Sequence, residues 1–339
     1  MTGSWDISAL TPRQLAGQRL MAGFEGTELD DDLRYLIDTL CVGGVVLFSR
    51  NIESPFQLKK LCRDMTRHAH KSGQPPLIIA VDQEGGPVAR LRHPFTEFAG
   101  NAHMIGQKDA DEFASVTALE LRQIGFNMNL APVMDVAFRP NHSIMRDRAF
   151  GARPSICAEL GCTVIKRMQK IGVMTVAKHF PGIGRTRLDS HVTQPVSNVT
   201  SNTLERADLV PFKAAMRHGV AGIMLGHVIY TNIDPDWPAS LSPAIASGLL
   251  RRQLGYNGVT LTDDLDMTAV RDHAPLKAAM RQIVAAEVDF ILICHRSRDQ
   301  ESALEELVRI AERRVSDRDR CRASVARILT LKNQYLSKG

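Results

Sequence analysis

No stretch of this sequence is apolar for long enough to span a bilayer, and Met1 to Gln14 hold no basic segment followed by an apolar one. Neither a membrane span nor a secretory leader is expected, and the chain reads as cytoplasmic. The six cysteines, Cys41, Cys62, Cys157, Cys162, Cys294 and Cys321, form no Cys-x-x-Cys pair. Cys41, Cys62 and Cys294 lie in or beside apolar runs, so buried free thiols in a reducing compartment are expected rather than disulfides or a zinc site. No block of Lys or Arg stands behind the formal charge of +5. That argues against nucleic acid as a partner and leaves a mild preference for small anionic substrates. Repeats, linkers and low-complexity tails are also missing, so the 339 residues read as a single domain, 1–339.

What is present is an alternation of short apolar runs and helical segments. The runs are Leu20–Phe24, Gly43–Phe48, Leu77–Val81, Met128–Val133, Gly172–Ala177, Ala221–Leu225, Gly258–Thr262 and Val288–Ile293. Between them, helices are expected from about Asp30 to Leu40, Pro55 to Lys71, Asp109 to Gly125, Pro154 to Ile171, Thr203 to His218, Pro243 to Leu254 and Ala274 to Glu287. A charged helical segment runs from Asp299 onward. Eight strands alternating with helices is the count of a (β/α)8 barrel of the TIM type. A doubly wound open sheet is the competing architecture. Its nucleotide-binding form is weakened because no Gly-x-Gly-x-x-Gly follows the first strand.

The strand ends carry Asp82, Asp135, Lys178, His179, His227 and Asp263. In a parallel barrel every strand C-terminus faces the same way, so these groups would converge on one mouth. Taken singly, each could merely cap a helix or close a turn. The fifth strand leads straight into Lys178-His179-Phe180-Pro181-Gly182-Ile183-Gly184-Arg185-Thr186-Arg187-Leu188-Asp189-Ser190-His191, a loop too rich in titratable groups for a plain connector. A retaining glycosidase needs a carboxylate nucleophile and a proton donor across the anomeric carbon. Asp263 is a candidate nucleophile. The donor could be another carboxylate or His191, whose imidazole has an ordinary pKa of about 6.5. Asp189 could orient that imidazole and stabilise its charged form. A metal hydrolase built from His179, His191, His227 and Asp263 is the rival chemistry. It is weakened by the lack of His-x-His at the early strand ends.

With these residues in view, the chain resembles glycoside hydrolase family 3, and within it the cytoplasmic β-N-acetylhexosaminidases of bacterial peptidoglycan recycling. Leu249-Leu250-Arg251-Arg252-Gln253 through Gly258-Val259-Thr260-Leu261-Thr262-Asp263 is similar to the family's nucleophile signature. That resemblance favours Asp263 over Asp264 and Asp266 as nucleophile. Lys178-His179-Phe180-Pro181-Gly182-x-Gly184, with Asp189-Ser190-His191, resembles the family's N-acetylglucosaminidase loop. It implies His191 as general acid/base and Asp189 as its partner. Val81-Asp82-Gln83-Glu84-Gly85-Gly86 with Arg90, and Arg148-Ala149-Phe150-Gly151, resemble substrate-binding segments. The implied substrate contacts are Asp82, Arg90, Arg148, Lys178 and His179. The resemblance further implies a single barrel without a second α/β domain and no cofactor or metal. It implies a muropeptide-type substrate with terminal β-linked N-acetylglucosamine, and a monomer is expected. One departure is Ile183, where the family loop reads Pro-Gly-His-Gly. A neutral imidazole base does not repel an anionic acceptor, so phosphorolysis is chemically open beside hydrolysis.

Overall fold

The computed structural model describes residues 5–187, 193–295 and 297–337, and in it each apolar run becomes a parallel strand. The strands are β1 (Leu20–Ala22), β2 (Gly44–Leu47), β3 (Ile78–Val81), β4 (Met128–Asn129), β5 (Met174–Phe180), β6 (Gly222–Leu225), β7 (Val259–Asp264) and β8 (Phe290–Ile293). They close in sequence order, with β8 beside β1. Alternation along each strand sorts the side chains into two cores. Val46, Ile78, Ala80, Val176, Met224 and Leu292 fill the barrel interior. Their neighbours Val45, Leu47, Ile79, Val81, Ala177 and Ile293 pack outward against the helices. Because both faces are buried, the strands read as continuous apolar runs.

The helices include α1 (Pro12–Gly17), α2 (Asp31–Asp38), α3 (Pro55–Lys71), α4 (Gln107–Ile124), α5 (Pro154–Ile171) and α6 (Leu209–Arg217). They continue with α7 (Ala244–Gln253, wound as a π-helix), α8 (Leu276–Ala285), α9 (Ser297–Arg313) and α10 (Val315–Leu336). Local sequence sets their ends. The Ser54 side chain accepts the Gln57 N–H at the start of α3, with Pro55 in the first turn. Gly125 and Gly172 stop α4 and α5 in the left-handed conformation that suits glycine.

Most element boundaries differ from the sequence reading by a residue or more, and three of these differences bear directly on the polar residues of the mouth. β4 ends at Asn129 instead of Val133, because Pro132 has no N–H for the ladder; Val133 rejoins by a single bridge to Lys178. β5 runs past Ala177 through Lys178 and His179 to Phe180. β7 likewise extends through Asp263 to Asp264. The polar residues at these positions are thus held by the sheet rather than by loops. At the other end, Ile328 and Leu331 of α10 join the interior core and seal the barrel. All six cysteines are buried and free. Among the described residues no helix is long and apolar enough to cross a membrane.

Candidate active site

The C-terminal ends of the strands surround a cavity of about 570 Å³, and Asp82, Arg90, Arg148, Lys178, His179 and Asp263 all line it. Asp82 follows β3, Lys178 and His179 lie in the last turn of β5, and Asp263 is the penultimate residue of β7. Arg90 and Arg148 come in from the loops after β3 and β4.

One wall is a network of charges. The Lys178 ammonium, almost fully buried, sits 2.7 Å from Asp82 Oδ1 and 2.6 Å from Glu84 Oε1. Arg148 grips Glu84 with two bonds, Nε to Oε2 at 2.9 Å and Nη2 to Oε1 at 2.7 Å. Burial alone would lift the Glu84 pKa, but the charges of Lys178 and Arg148 outweigh it and hold the carboxyl at about 2. Burial likewise works against the Lys178 charge, and Asp82 and Glu84 reverse it, so its pKa is raised. Arg90 Nη2 stands 3.7 Å from Asp82 Oδ2. Its Nε is buried without a hydrogen-bond partner among the described residues. The wall therefore presents fixed donors and acceptors of both signs, suited to the hydroxyls of a sugar ring.

The cavity is also lined by His179 and Asp263. His179 donates from Nδ1 to Asp135 Oδ2 at 2.8 Å, and its backbone N–H reaches the same oxygen at 3.0 Å. The Ile183 N–H meets Asp135 Oδ1 at 2.7 Å. Asp135 is fully buried, so its three bonds lock the imidazole and the Pro-Gly-Ile-Gly turn together. Asp263 accepts the Asp264 N–H on Oδ1 at 2.9 Å. Burial raises its pKa, but His179 and His227, the Asp264 N–H and Lys178 together hold it below the ordinary carboxylate value. Asp264 takes the opposite course. Burial pushes its carboxyl up to about 7; the Asp266 N–H opposes this, and the charges of Asp266 and Asp263 add to it. Two adjacent carboxyls are thus driven apart, one ionised and one able to keep its proton near neutrality.

The segment that follows β5 is pinned by contacts from the loop after β4. Ile183 is buried against the rim, Ser143 Oγ donates to the Gly184 carbonyl at 2.7 Å, and the Ile144 N–H reaches Thr186 O at 3.0 Å. Thr186 and Pro195 both line the cavity. Asp189 and His191 lie outside the described residues. Of the four groups weighed as metal ligands, His179 is engaged by Asp135, and His227 by Ser240 and the Asp264 carbonyl. Among the described residues no three His, Cys, Asp or Glu side chains are grouped to hold a metal ion.

Sequence reasoning passed over Glu84, and left Asp135 and Asp264 without roles. A signal for Glu84 was available: it stands two residues after Asp82, which puts both carboxyls on one side of an extended chain.

A closed parallel barrel with a charged mouth and a fixed carboxylate at a strand end is the frame of a barrel glycosidase. The comparisons agree. The glycosyl hydrolase family 3 N terminal domain matches residues 13–331. A beta-hexosaminidase of Nitrosomonas eutropha is 36% identical over 285 residues, covering 81% of this chain and 80% of the relative. The structure of a glycoside hydrolase family 3 beta-N-acetylglucosaminidase from Paenibacillus sp. superimposes with a TM-score of 0.93 at 38% identity. It covers 98% of this chain, which spans 64% of that longer structure. A beta-N-acetylhexosaminidase from Beutenbergia cavernae gives 0.89 at 28% identity, covering 96% of this chain and 99% of its own. The chain belongs to glycosyl hydrolase family 3, and is a glycosidase.

Proposed function

We propose that this chain is a retaining β-N-acetylglucosaminidase that releases non-reducing terminal β-linked N-acetylglucosamine from muropeptide-type fragments. Asp263 is its nucleophile, His191 its acid/base and Asp189 the partner of His191. The observation that carries the reading is the Asp263 carboxylate, kept ionised at the cavity wall by the positive groups around it. In the first step the carboxylate bonds to the anomeric carbon as the glycosidic C–O bond breaks. The departing oxygen takes a proton from His191. In the second, His191 takes a proton from water, and the hydroxide oxygen displaces Asp263. Two displacements give net retention, so proton NMR should find the β-anomer in the earliest product; an initial α-product overturns the assignment. Product analysis with and without phosphate tells hydrolysis from phosphorolysis, and turnover in EDTA separates both from metal chemistry.

The roles of the acid/base pair are tested by leaving group. Asp263→Ala should abolish turnover of every substrate. General acid help is worth roughly 10²–10⁴-fold, and only a poor leaving group needs it. His191→Ala should therefore spare the first step with a nitrophenyl glycoside and lose most of the rate with a sugar aglycone. The mutant should also accumulate glycosyl-enzyme and be accelerated by azide. Asp189→Ala should fall between the two. If His191→Ala slows both substrates equally and azide rescues neither, the acid is another group. The His179–Asp135 pair, which already has the geometry of an oriented imidazole, is then its candidate.

A further inference from the structure

His227 stands out in the sequence as a strand-end histidine, and the chemistry above uses it only as a charge near Asp263. It follows β6 and is buried at the cavity wall, 1% exposed. Its Nε2 lies 2.9 Å from the Asp264 carbonyl oxygen, and its Nδ1 lies 2.7 Å from Ser240 Oγ. A carbonyl oxygen can only accept, so Nε2 carries a proton and donates. Nδ1 faces the Ser240 hydroxyl, which donates to it when the ring is neutral and accepts from it when the ring is charged. Ser240 is itself fixed, its N–H donating to the Gly226 carbonyl at 3.1 Å. The residue that His227 grips is the one that aims the nucleophile: the Asp264 N–H donates to Asp263 Oδ1. Asp264 is also held through its side chain, since Oδ1 accepts the N–H groups of Asp266 at 3.1 Å and Cys294 at 3.2 Å. Among the described residues, Asp264 is held within its own turn, where its carbonyl also accepts the Met267 N–H at 3.1 Å, by β8 and the residues just after it, Cys294 and His295, and by His227.

We infer that His227 is a positioning residue for glycosylation: with Ser240 behind it, its Nε2–H helps clamp the Asp264 carbonyl and so fixes the residue whose N–H directs Asp263 toward the anomeric carbon. The inference rests on Asp263 being the nucleophile. Supporting groups of this kind act by keeping the reacting atom in place, and a displacement near 1 Å can cost about 10²-fold in rate.

Three variants test it. His227→Leu keeps bulk but loses the N–H, His227→Gln restores an N–H at similar reach, and Ser240→Ala releases Nδ1. The readouts are the pre-steady-state release of nitrophenol from nitrophenyl β-N-acetylglucosaminide, inhibition by N-acetylglucosamine, and the thermal midpoint. Nitrophenol is a good leaving group, so this step reports the nucleophile and not the acid. His227→Leu should lose about 10²-fold in that step with product inhibition little changed. His227→Gln should recover most of the loss, and Ser240→Ala should lose several-fold. The inference is overturned if His227→Leu folds and keeps its first-step rate, or if His227→Gln is as slow as the leucine variant. Should the leucine variant not fold, full first-step activity in Ser240→Ala, or no loss of thermal midpoint there with normal rate, overturns it equally. Asp263→Ala is measured in parallel. If that variant turns over, the nucleophile assignment falls; if it is dead while the His227 and Ser240 variants are normal, only the positioning role falls.

Discussion

Glu84 is the residue on which the substrate-facing cations depend. It is 1% exposed, and it is the shared partner of the Lys178 ammonium and the Arg148 guanidinium. Without its charge, the buried Lys178 ammonium would keep Asp82 as its ion-pair partner, and the half-buried Arg148 guanidinium would lose the carboxylate it grips with two bonds. Breaking one side of a buried ionic cluster costs about 3–5 kcal/mol, because the remaining charges stay desolvated. Glu84→Gln should therefore lower stability on that scale near neutral pH and raise KM, while leaving Asp263 in place. The sign of the pH effect follows from the depressed pKa. In the native protein the carboxyl titrates at about 2 instead of 4.5, so its contribution is complete above the unfolded value and fades as pH falls toward the native one. Urea titrations from pH 7 to pH 3 should show the gap between wild type and Glu84→Gln narrowing toward the acid end. A gap that is constant with pH would mean the loss comes from packing and not from charge. At the same scale, Ile183 is buried with its Cγ2 methyl against Gly226.

At the level of elements, the strands were legible because a strand buried on both faces must be apolar throughout, and the order of eight runs is enough to close a barrel. Their ends were less so. Lys178 and His179 look like loop residues in sequence because charge rarely continues a buried strand; here Asp82, Glu84 and Asp135 neutralise them inside it. Those partners lie 96, 94 and 44 residues away along the chain (178 − 82, 178 − 84, 179 − 135), and only barrel closure brings them together. Asp263 could be singled out because its motif is local. Asp135 and His227 could be placed at strand ends and Glu84 beside Asp82, but not given roles, because what each does depends on residues far along the chain. The same logic operates at the foot of the barrel. Asp289, fully buried before β8, accepts from Arg327 Nη2 at 2.7 Å, from Arg251 Nη2 at 2.8 Å and from the Thr260 N–H at 2.9 Å. It ties α10 and α7 to β7. Asp289→Asn removes the anion from two arginines and should cost about 3 kcal/mol or more. Because β8 separates it from the mouth, kcat/KM of the folded fraction should be unchanged. Chemical denaturation and steady-state kinetics on one preparation check this, and a fall in kcat/KM alongside normal stability would sink it.

The whole molecule has two unlike ends. The C-terminal mouth is open and charged, and the N-terminal end is closed by α10, whose apolar side chains continue the interior core. Into that seal α10 inserts Lys332, fully buried, with Nζ 2.6 Å from Gln18 Oε1. No carboxylate contacts it among the described residues, and burial alone pushes its pKa down to about 7. An amine that is neutral in the folded state but still protonated when unfolded makes the unfolded chain bind the extra proton. Stability must then rise with pH between about 7 and the unfolded value of 10.5. At lower pH the buried charge is carried in full, at roughly 5 kcal/mol from a shift of that size. Lys332→Met keeps the length of the side chain and removes the charge, but leaves Gln18 Oε1 without its donor, a loss of about 1–3 kcal/mol. The two effects have opposite sign, and the relief of the buried charge is the one that fades as pH rises. Below pH 7 the methionine variant should be the more stable by a few kcal/mol; as pH climbs toward 10 the advantage should shrink and then reverse, since a neutral lysine costs nothing in charge and still donates to Gln18. Other groups titrate in this range in both proteins, so the quantity to follow is the difference in unfolding free energy between them. A difference that stays flat from pH 6 to pH 10 would show that Lys332 keeps its proton in the fold, with water or a shifted α10 reaching it. The closed end of the barrel would then be wetter than its packing indicates.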